Sequence, residues 1–308
     1  QSTWGTKIHR EMRGLELQLN QTQSIRLQIA LRSIEALHSQ SIAKPVVVIG
    51  ESIPVQQEHS ILKGHGTSER EGEIVATLCG VVERVNKLVY VRTLRARYKP
   101  EVGDIVVGRV LEVAPKRWKL EINYGQDAVL MLSSMNLPDG IQRRRTAVDE
   151  LNMRSIFEEN DVVCAEVRNF HSDGSLQLQA RSQKYGKLGR GQLLTCPPYL
   201  VKRQKVHFHH IEEQGVDLIL GCNGFIWVGE HFASEDNESM LPATRQQICR
   251  ISNAVGVLSA LGFSLSLEVI KNAVALSDTL NLGIDQMLDA EFYVSVAERE
   301  AERRTKKK

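Results

Sequence analysis

Apolar positions change their spacing several times along this chain, and each change marks an expected element. From Leu15 to Leu37 they recur at helical intervals: Leu15, Leu19, then Ile25, Leu27, Ile29, Leu31, Ile34 and Leu37. That stripe predicts an amphipathic helix with one face packed on something. Val46–Ile49 and the segment after Pro54 read as extended. Lys63-Gly-His-Gly-Thr67 reads as a turn, because two glycines around one residue allow positive φ. Two strand-like runs follow, Ile74–Val82 and Lys87–Leu94.

Residues 102–134 carry the strongest pattern. Gly103-Asp104 opens a run from Ile105 to Val113, a basic turn over 114–117 leads into Trp118–Asn123, and a break at Tyr124-Gly125 precedes Ala128–Leu132. Short β-branched runs separated by Gly, Pro, Asn and Asp predict antiparallel strands joined by tight turns. Two more strands are expected at Val162–Val167 and Leu176–Ala180, joined through Ser172-Asp-Gly174, with a short helix over Asp149–Glu159 plugging the bottom. The whole resembles an S-one-type RNA-binding domain, a five-stranded barrel of the oligonucleotide-binding class. RNA is therefore the first partner to test.

Beyond residue 183 the pattern is mixed. An extended Gln192–Cys196, a Pro197-Pro198 break, a basic helix from Leu200 and an apolar run over Val216–Val228 are expected. Ser234–Ser239 reads as an acidic loop. Ile248, Ile251, Val255, Leu258 and Leu261 predict a helix over Ala243–Leu261, with Gly262 where a C-terminal cap belongs. A second helix is expected near Leu267–Leu276, and the chain ends in a basic tail, Arg303–Lys308. The fold class is mainly β with α+β. The expected division is a leader and amphipathic helix over 1–49, an N-terminal β domain over 50–100, the barrel over 101–182, and a Lys-homology (KH)-like domain with a C-terminal helical extension over 183–308. Residues 1–11 read as an unstructured leader, with Met12 a natural start.

A chain of 308 residues with 42% apolar and 25% charged residues has material for two or three domains. Its net charge is only +2, so any nucleic-acid footprint has to be local; aromatics at 5% argue against a broad stacking platform. Five dispersed cysteines form no C-x-x-C pair, which supports neither a zinc ribbon nor a disulfide scaffold and fits a reducing intracellular compartment. No apolar run approaches the ~20 residues needed to span a bilayer, so no membrane partner is expected.

Local charge narrows the search. Between Asp173 and Glu212 there is no acidic residue, while Arg181, Lys184, Lys187, Arg190, Lys202, Arg203 and Lys205 fall inside. Such a field attracts phosphate, and it equally suits docking on an acidic protein surface. Lys116, Arg117 and Trp118 lie in the first barrel hairpin, and Arg143, Arg144 and Arg145 in the loop after the third strand. These are the candidate RNA-binding residues, since barrels of this class bind through strands two and three and flanking loops. Arginine supplies forked phosphate contacts and Trp118 offers a ring to stack. Alternation of Trp118 with Leu120 and Ile122 instead favours the barrel core.

Gly221, Cys222, Asn223 and Gly224 match the G-x-x-G of a KH domain, whose loop clamps a nucleic-acid backbone. Here strand-like runs flank the motif, and Asn-Gly between apolar runs signals a hairpin, so it reads as a structural turn. His207, His209 and His210 lack a partner cluster for metal. No nucleotide P-loop, G-x-S-x-G, H-E-x-x-H or magnesium-binding carboxylate cluster is present, so no catalytic residue, metal or cofactor is expected and the chain is read as a non-enzyme.

Taken together, the segments Gly64–Thr67, Gly80–Leu88, Arg97–Gly108, Leu132–Pro138, Arg181–Leu188 and Gly221–Trp227 resemble, in unbroken order, the S-one/KH cap subunits of the RNA exosome, and most of all their plant members. The resemblance implies a non-catalytic subunit that sits with other cap proteins on a ring of ribonuclease PH-like subunits. It also implies that the barrels surround an entrance guiding single-stranded RNA towards a 3′ to 5′ exonuclease, for degradation and for processing of rRNA, mRNA and other RNAs. Nucleus and nucleolus, with cytoplasm as well, are the expected compartments; Lys306–Lys308 suits nuclear import and a solvated end alike. Two alternatives stay open: the sibling S-one/KH cap subunit, and a pure scaffold that docks subunits without touching RNA.

Overall fold

The structure is a computed structural model and describes residues 18–39, 46–54, 62–93, 97–136, 145–231 and 242–306. The expected leader, Arg143, Arg144, the acidic loop and the last two lysines lie outside these residues. The described residues fall into two compact units, one made of residues up to 26 with 97–298, the other of 27–96 with 299 onward. Helix α1 (Gln21–Ser39) runs from the first into the second. It starts later than the apolar spacing predicts, where Gln23 Oε1 accepts from the Asn20 N–H at 3.0 Å. Leu27, Ala30 and Ile34 form its buried stripe, while Ile25 and Ile29 are exposed.

In the second unit, β1 (Val46–Val47), β2 (Leu62–Lys63), β3 (Thr67–Arg70), β4 (Glu73–Ala76), β5 (Gly80–Val85) and β6 (Leu88–Thr93) make a four-stranded sheet of order β1-β5-β6-β2 beside the β3-β4 pair. Val47, Ile53, Ala76, Val82, Val89 and Val91 are its core. The single run expected over Ile74–Val82 is two strands. They separate at Thr77–Cys79, and β5 begins at Gly80, where an added Cβ would lie 2.2 Å from the Arg92 carbonyl oxygen. Only glycine lets the two backbones approach that closely.

The first unit holds the barrel: β7 (Ile105–Ala114), β8 (Arg117–Glu121), β9 (Ala128–Met135), β10 (Val162–Phe170) and β11 (Leu176–Ala180). Sheet order is β11-β9-β8-β7-β10, and β10 pairs β11 to close the ring. All pairings are antiparallel except β9 with β11. Alternation along each strand puts Val106, Val110, Trp118, Leu120, Leu130, Val163, Val167, Leu176 and Leu178 inside, as a half-buried strand of period two requires. Below them the expected single helix is two, α2 (Ala147–Leu151) and α3 (Met153–Ile156). Thr146 and Asp149 close a capping box that starts α2, and Asn152, at φ −91° and ψ 14°, breaks the run between them. This break turns Met153 and Phe157 up into the barrel core.

After a short edge strand, β12 (Gly186–Leu188), a second sheet forms from β13 (Gly191–Thr195), β14 (Phe208–Ile211), β15 (Val216–Leu220) and β16 (Phe225–Glu230), in the order β13-β16-β15-β14. Helices α4 (Pro242–Leu261), α5 (Leu267–Thr279) and α6 (Ala290–Lys306) follow. The basic helix expected from Leu200 does not form. Pro198–Leu200 make one 3-10 turn, Val201 is extended at φ −94° and ψ 113°, and it bridges to Leu265. Of the basic tail, Arg303–Lys306 belong to α6, and the buried Glu300 carboxylate pairs with Arg303 and Arg304, both at 2.7 Å. Burial opposes ionisation of Glu300, yet the two guanidinium groups hold its pKa below the usual carboxylate range.

Candidate nucleic-acid interface

The β7–β8 turn is as tight as a hairpin permits. Ala114 pairs with Arg117 across it, and Lys116 takes positive φ, 63°. Period-two alternation on β8 then sends Trp118 inward and Arg117 and Lys119 outward. Trp118 is fully buried, donates from Nε1 to the Phe157 carbonyl at 3.2 Å and meets the Phe157 ring edge-on at 5.1 Å. As a base-stacking candidate it is therefore corrected: its faces are spent on the barrel core.

The other candidates meet at one point. The Leu132 N–H of β9 donates to the Lys116 carbonyl at 2.9 Å, and the Leu132 carbonyl accepts from Arg145 Nε at 3.1 Å. A second Arg145 nitrogen donates to the Met135 carbonyl. Sequence-distant Lys116 and Arg145 thus share one rim of the barrel. They differ in availability. Lys116 Nζ lies 3.3 Å from Glu150, with 64% of its side chain exposed. Arg117 is exposed and makes no ion pair among the described residues. Arg145 commits part of its fork to strand carbonyls, which fixes its position and leaves its charge at the rim.

The acid-free stretch proves less free than its sequence implies. Lys187 pairs with Asp161 at 2.7 Å, and Arg190 lies 3.7 Å from Glu230. Arg203 grips Asp104 at 2.8 and 3.0 Å and donates to the Lys99 carbonyl at 2.6 Å. Asp104 also accepts from the Tyr98 hydroxyl and the Glu101 N–H. Burial works against the Asp104 carboxylate, but Arg203, the Glu101 N–H and Tyr98 together lower its pKa. This network was invisible in sequence because its arginine lies 99 residues from its carboxylate.

The Gly221–Gly224 turn joins β15 to β16 and is closed to solvent. Gly221 N–H donates to the Phe225 carbonyl, Cys222 N–H to Ile105, and Gly224 N–H to Gly221. Asn223 is wholly buried: its amide donates to the Val107 and Ile122 carbonyls at 2.7 and 2.9 Å, and its own carbonyl accepts from Asn123. Gly224, at φ +84°, has the Cys196 carbonyl oxygen only 2.2 Å from where a Cβ would stand. Burial pushes the Cys222 thiol up to about 11. A phosphate clamp needs N–H groups facing solvent; here those of Gly221 and Gly224 are consumed within the hairpin and that of Cys222 by the Ile105 carbonyl of barrel strand β7.

Comparison with known proteins agrees with this architecture. A family profile described as "RRP4, S1 domain" matches residues 97–169, and a KH-domain profile matches residues 191–234. Over 318 aligned residues the chain is 61% identical to the Exosome complex component RRP4 homolog of Arabidopsis thaliana, covering 96% of this chain and 99% of the relative. It is 50% identical to Exosome complex component RRP4 of Bos taurus over 204 residues, which is 66% of this chain and 69% of the other. It is 49% identical to Exosome complex component rrp4 of Schizosaccharomyces pombe over 191 residues, 62% of this chain and 57% of the other. The similarity to the Arabidopsis relative, sustained across almost the whole of both proteins, establishes that the chain belongs to the exosome complex component RRP4 family.

Proposed function

We propose that this chain is a non-catalytic, RNA-binding cap subunit of the exosome, which guides single-stranded RNA towards a 3′ to 5′ exonuclease carried by another subunit. The carrying observation is the shared barrel rim, where the Leu132 backbone holds the Lys116 turn and Arg145 together beside the open guanidinium of Arg117. Phosphate contacts from such a collar position a strand without selecting its sequence. Trp118 is buried and so adds no base contact. The chain's own part is to bind and orient, with no bond broken by its side chains.

The second unit suits docking on ring subunits of the ribonuclease PH type and neighbouring cap subunits. Val46, Val48, Ile49 and Leu62 leave 60–67% of their surface exposed there, and stable interfaces bury ~1,200–2,000 Å². Nucleus and nucleolus, with some cytoplasm, are the compartments this role calls for.

A scaffold role without RNA contact has one observation in its favour: Lys187, Arg190 and Arg203 are paired inside the molecule. Crosslinking of threaded RNA in an exosome reconstituted with this chain separates the two. Adducts in residues 114–118 and 145, reduced by Lys116→Ala with Arg117→Ala, are expected. Full-strength RNA protection with no adduct there would leave the scaffold reading.

A further inference from the structure

The three neighbouring histidines of the second sheet part company in the fold. His207 is buried, with Nδ1 at 2.7 Å from the Leu220 carbonyl and Nε2 accepting from the Gln204 N–H at 3.2 Å. His210 sits directly across from Asp217 in the β14–β15 register, and Asp217 sits across from Gly229 on β16. Two residues beyond Gly229, His231 returns to the same face. The outcome is a cluster assembled from two adjacent strands and the residue that follows a third. His210 Nδ1 lies 2.7 Å from Asp217 Oδ1, and His231 Nδ1 lies 2.9 Å from Asp217 Oδ2. The two imidazole ring centroids lie 4.0 Å apart, with the planes tilted by 40°.

From this geometry we infer that His210, Asp217 and His231 form a divalent transition-metal site, with zinc as its natural occupant. All three ligand atoms lie within 4.8 Å of one another. Zinc bonds imidazole nitrogen at ~2.0–2.1 Å and carboxylate oxygen at ~2.0–2.2 Å, so tetrahedral ligands stand ~3.3 Å apart. Opening the two hydrogen-bonded pairs by roughly half an ångström reaches that spacing for them, and the two histidine nitrogens, within 4.8 Å of each other, complete the triangle around the metal. In the neutral imidazoles the Nδ1 proton moves to Nε2 as the metal takes its place, so binding to that form releases no proton. Side-chain exposure of 36% for His210 and 44% for His231 leaves room for water to complete the shell. Two nitrogens and one oxygen suit zinc over magnesium or calcium, which prefer all-oxygen shells. A bound ion would tie β14, β15 and the end of β16 together at an edge where the sheet otherwise relies on backbone pairing.

The test uses the full chain, free of any affinity tag, carrying Cys79→Ser because Cys79 is an exposed thiol. Zinc is titrated against a chromophoric chelator, and cobalt absorption serves as a second readout. One equivalent of zinc is expected, with His210→Ala and His231→Ala each weakening binding by more than about 30-fold and Asp217→Asn by about tenfold or more. His171→Ala, on an exposed turn elsewhere, should leave affinity unchanged. X-ray absorption at the zinc edge of the unsubstituted chain should count two imidazole ligands, which keeps the inference testable if a variant fails to fold. Equal zinc affinity in the parent and a His210→Ala/His231→Ala double variant overturns it. So does an absorption spectrum without two imidazoles, or no zinc bound at about 100 µM, the result for a hydrogen-bonded triad alone.

Discussion

Two short hairpins in this molecule carry the marks of nucleic-acid binding, and the fold treats them in opposite ways. The β7–β8 turn stands at a barrel rim with Arg117 exposed. The β15–β16 turn, which holds the G-x-x-G pattern, has Asn223 with no exposed surface. What separates them is the fate of their main-chain N–H groups. In the second turn Gly221, Cys222 and Gly224 already donate to protein carbonyls, so the motif that clamps phosphate elsewhere works here as an adhesive. A recognition motif has function only where its donors remain unspent.

The sharpest way to break this contrast is Trp118→Ala, which empties the inner side of the open hairpin. It should cost about 3–5 kcal/mol in urea unfolding, as expected for loss of a large core aromatic. Trp118→Phe should keep the fold and leave RNA crosslinking unchanged; a folded Phe variant that lost RNA would restore the ring as a base contact. Next comes Asn223→Ala. It strands the Val107 and Ile122 carbonyls and should cost about 2–4 kcal/mol, with RNA affinity per folded molecule unaltered. RNA loss without destabilisation would make the sealed turn a clamp after all.

Smaller in energy but more telling is Lys116→Ala with Arg117→Ala. Stability should move by less than about 0.5 kcal/mol, while the salt dependence of RNA binding flattens by about 1–1.5 in log–log slope, roughly 0.7 for each phosphate that is no longer neutralised. The smallest effect concerns acid. Because Asp104 titrates below its ordinary range in the folded chain, its contribution is complete above about pH 4, the unfolded value. It drains away as pH falls through the lower folded value. Asp104→Asn should therefore be less stable than the parent at neutral pH, and the gap should narrow as the solution is acidified.

Much of this was legible in sequence, for identifiable reasons. Barrel strands are set by period-two alternation and by turns such as Ser172-Asp-Gly174, and β11 falls where the pattern puts it, at Leu176–Ala180. Local rules failed where a distant partner decides. Val201 is drawn out of a helix by its bridge to Leu265, and Arg303 and Arg304 extend a helix by pairing with Glu300 rather than trailing as a tail. At the candidate interface, sequence supplied Lys116, Arg117 and Arg145 but could not rank them, because an ion pair to Glu150 or a hydrogen bond to Leu132 is a fact of three dimensions.

Leu132 serves the barrel twice. Its side chain fills the interior, yet its part in aligning the rim is played by its peptide groups, one accepting and one donating. Exchanging that side chain for another apolar one would leave the alignment standing, so a scan of single substitutions would pass over the position as unimportant to RNA. The charges at 116 and 117 are thereby free to vary in kind during divergence, because a carbonyl common to every amino acid holds their turn, whereas residue 145 must stay an arginine, since its own guanidinium makes the bond.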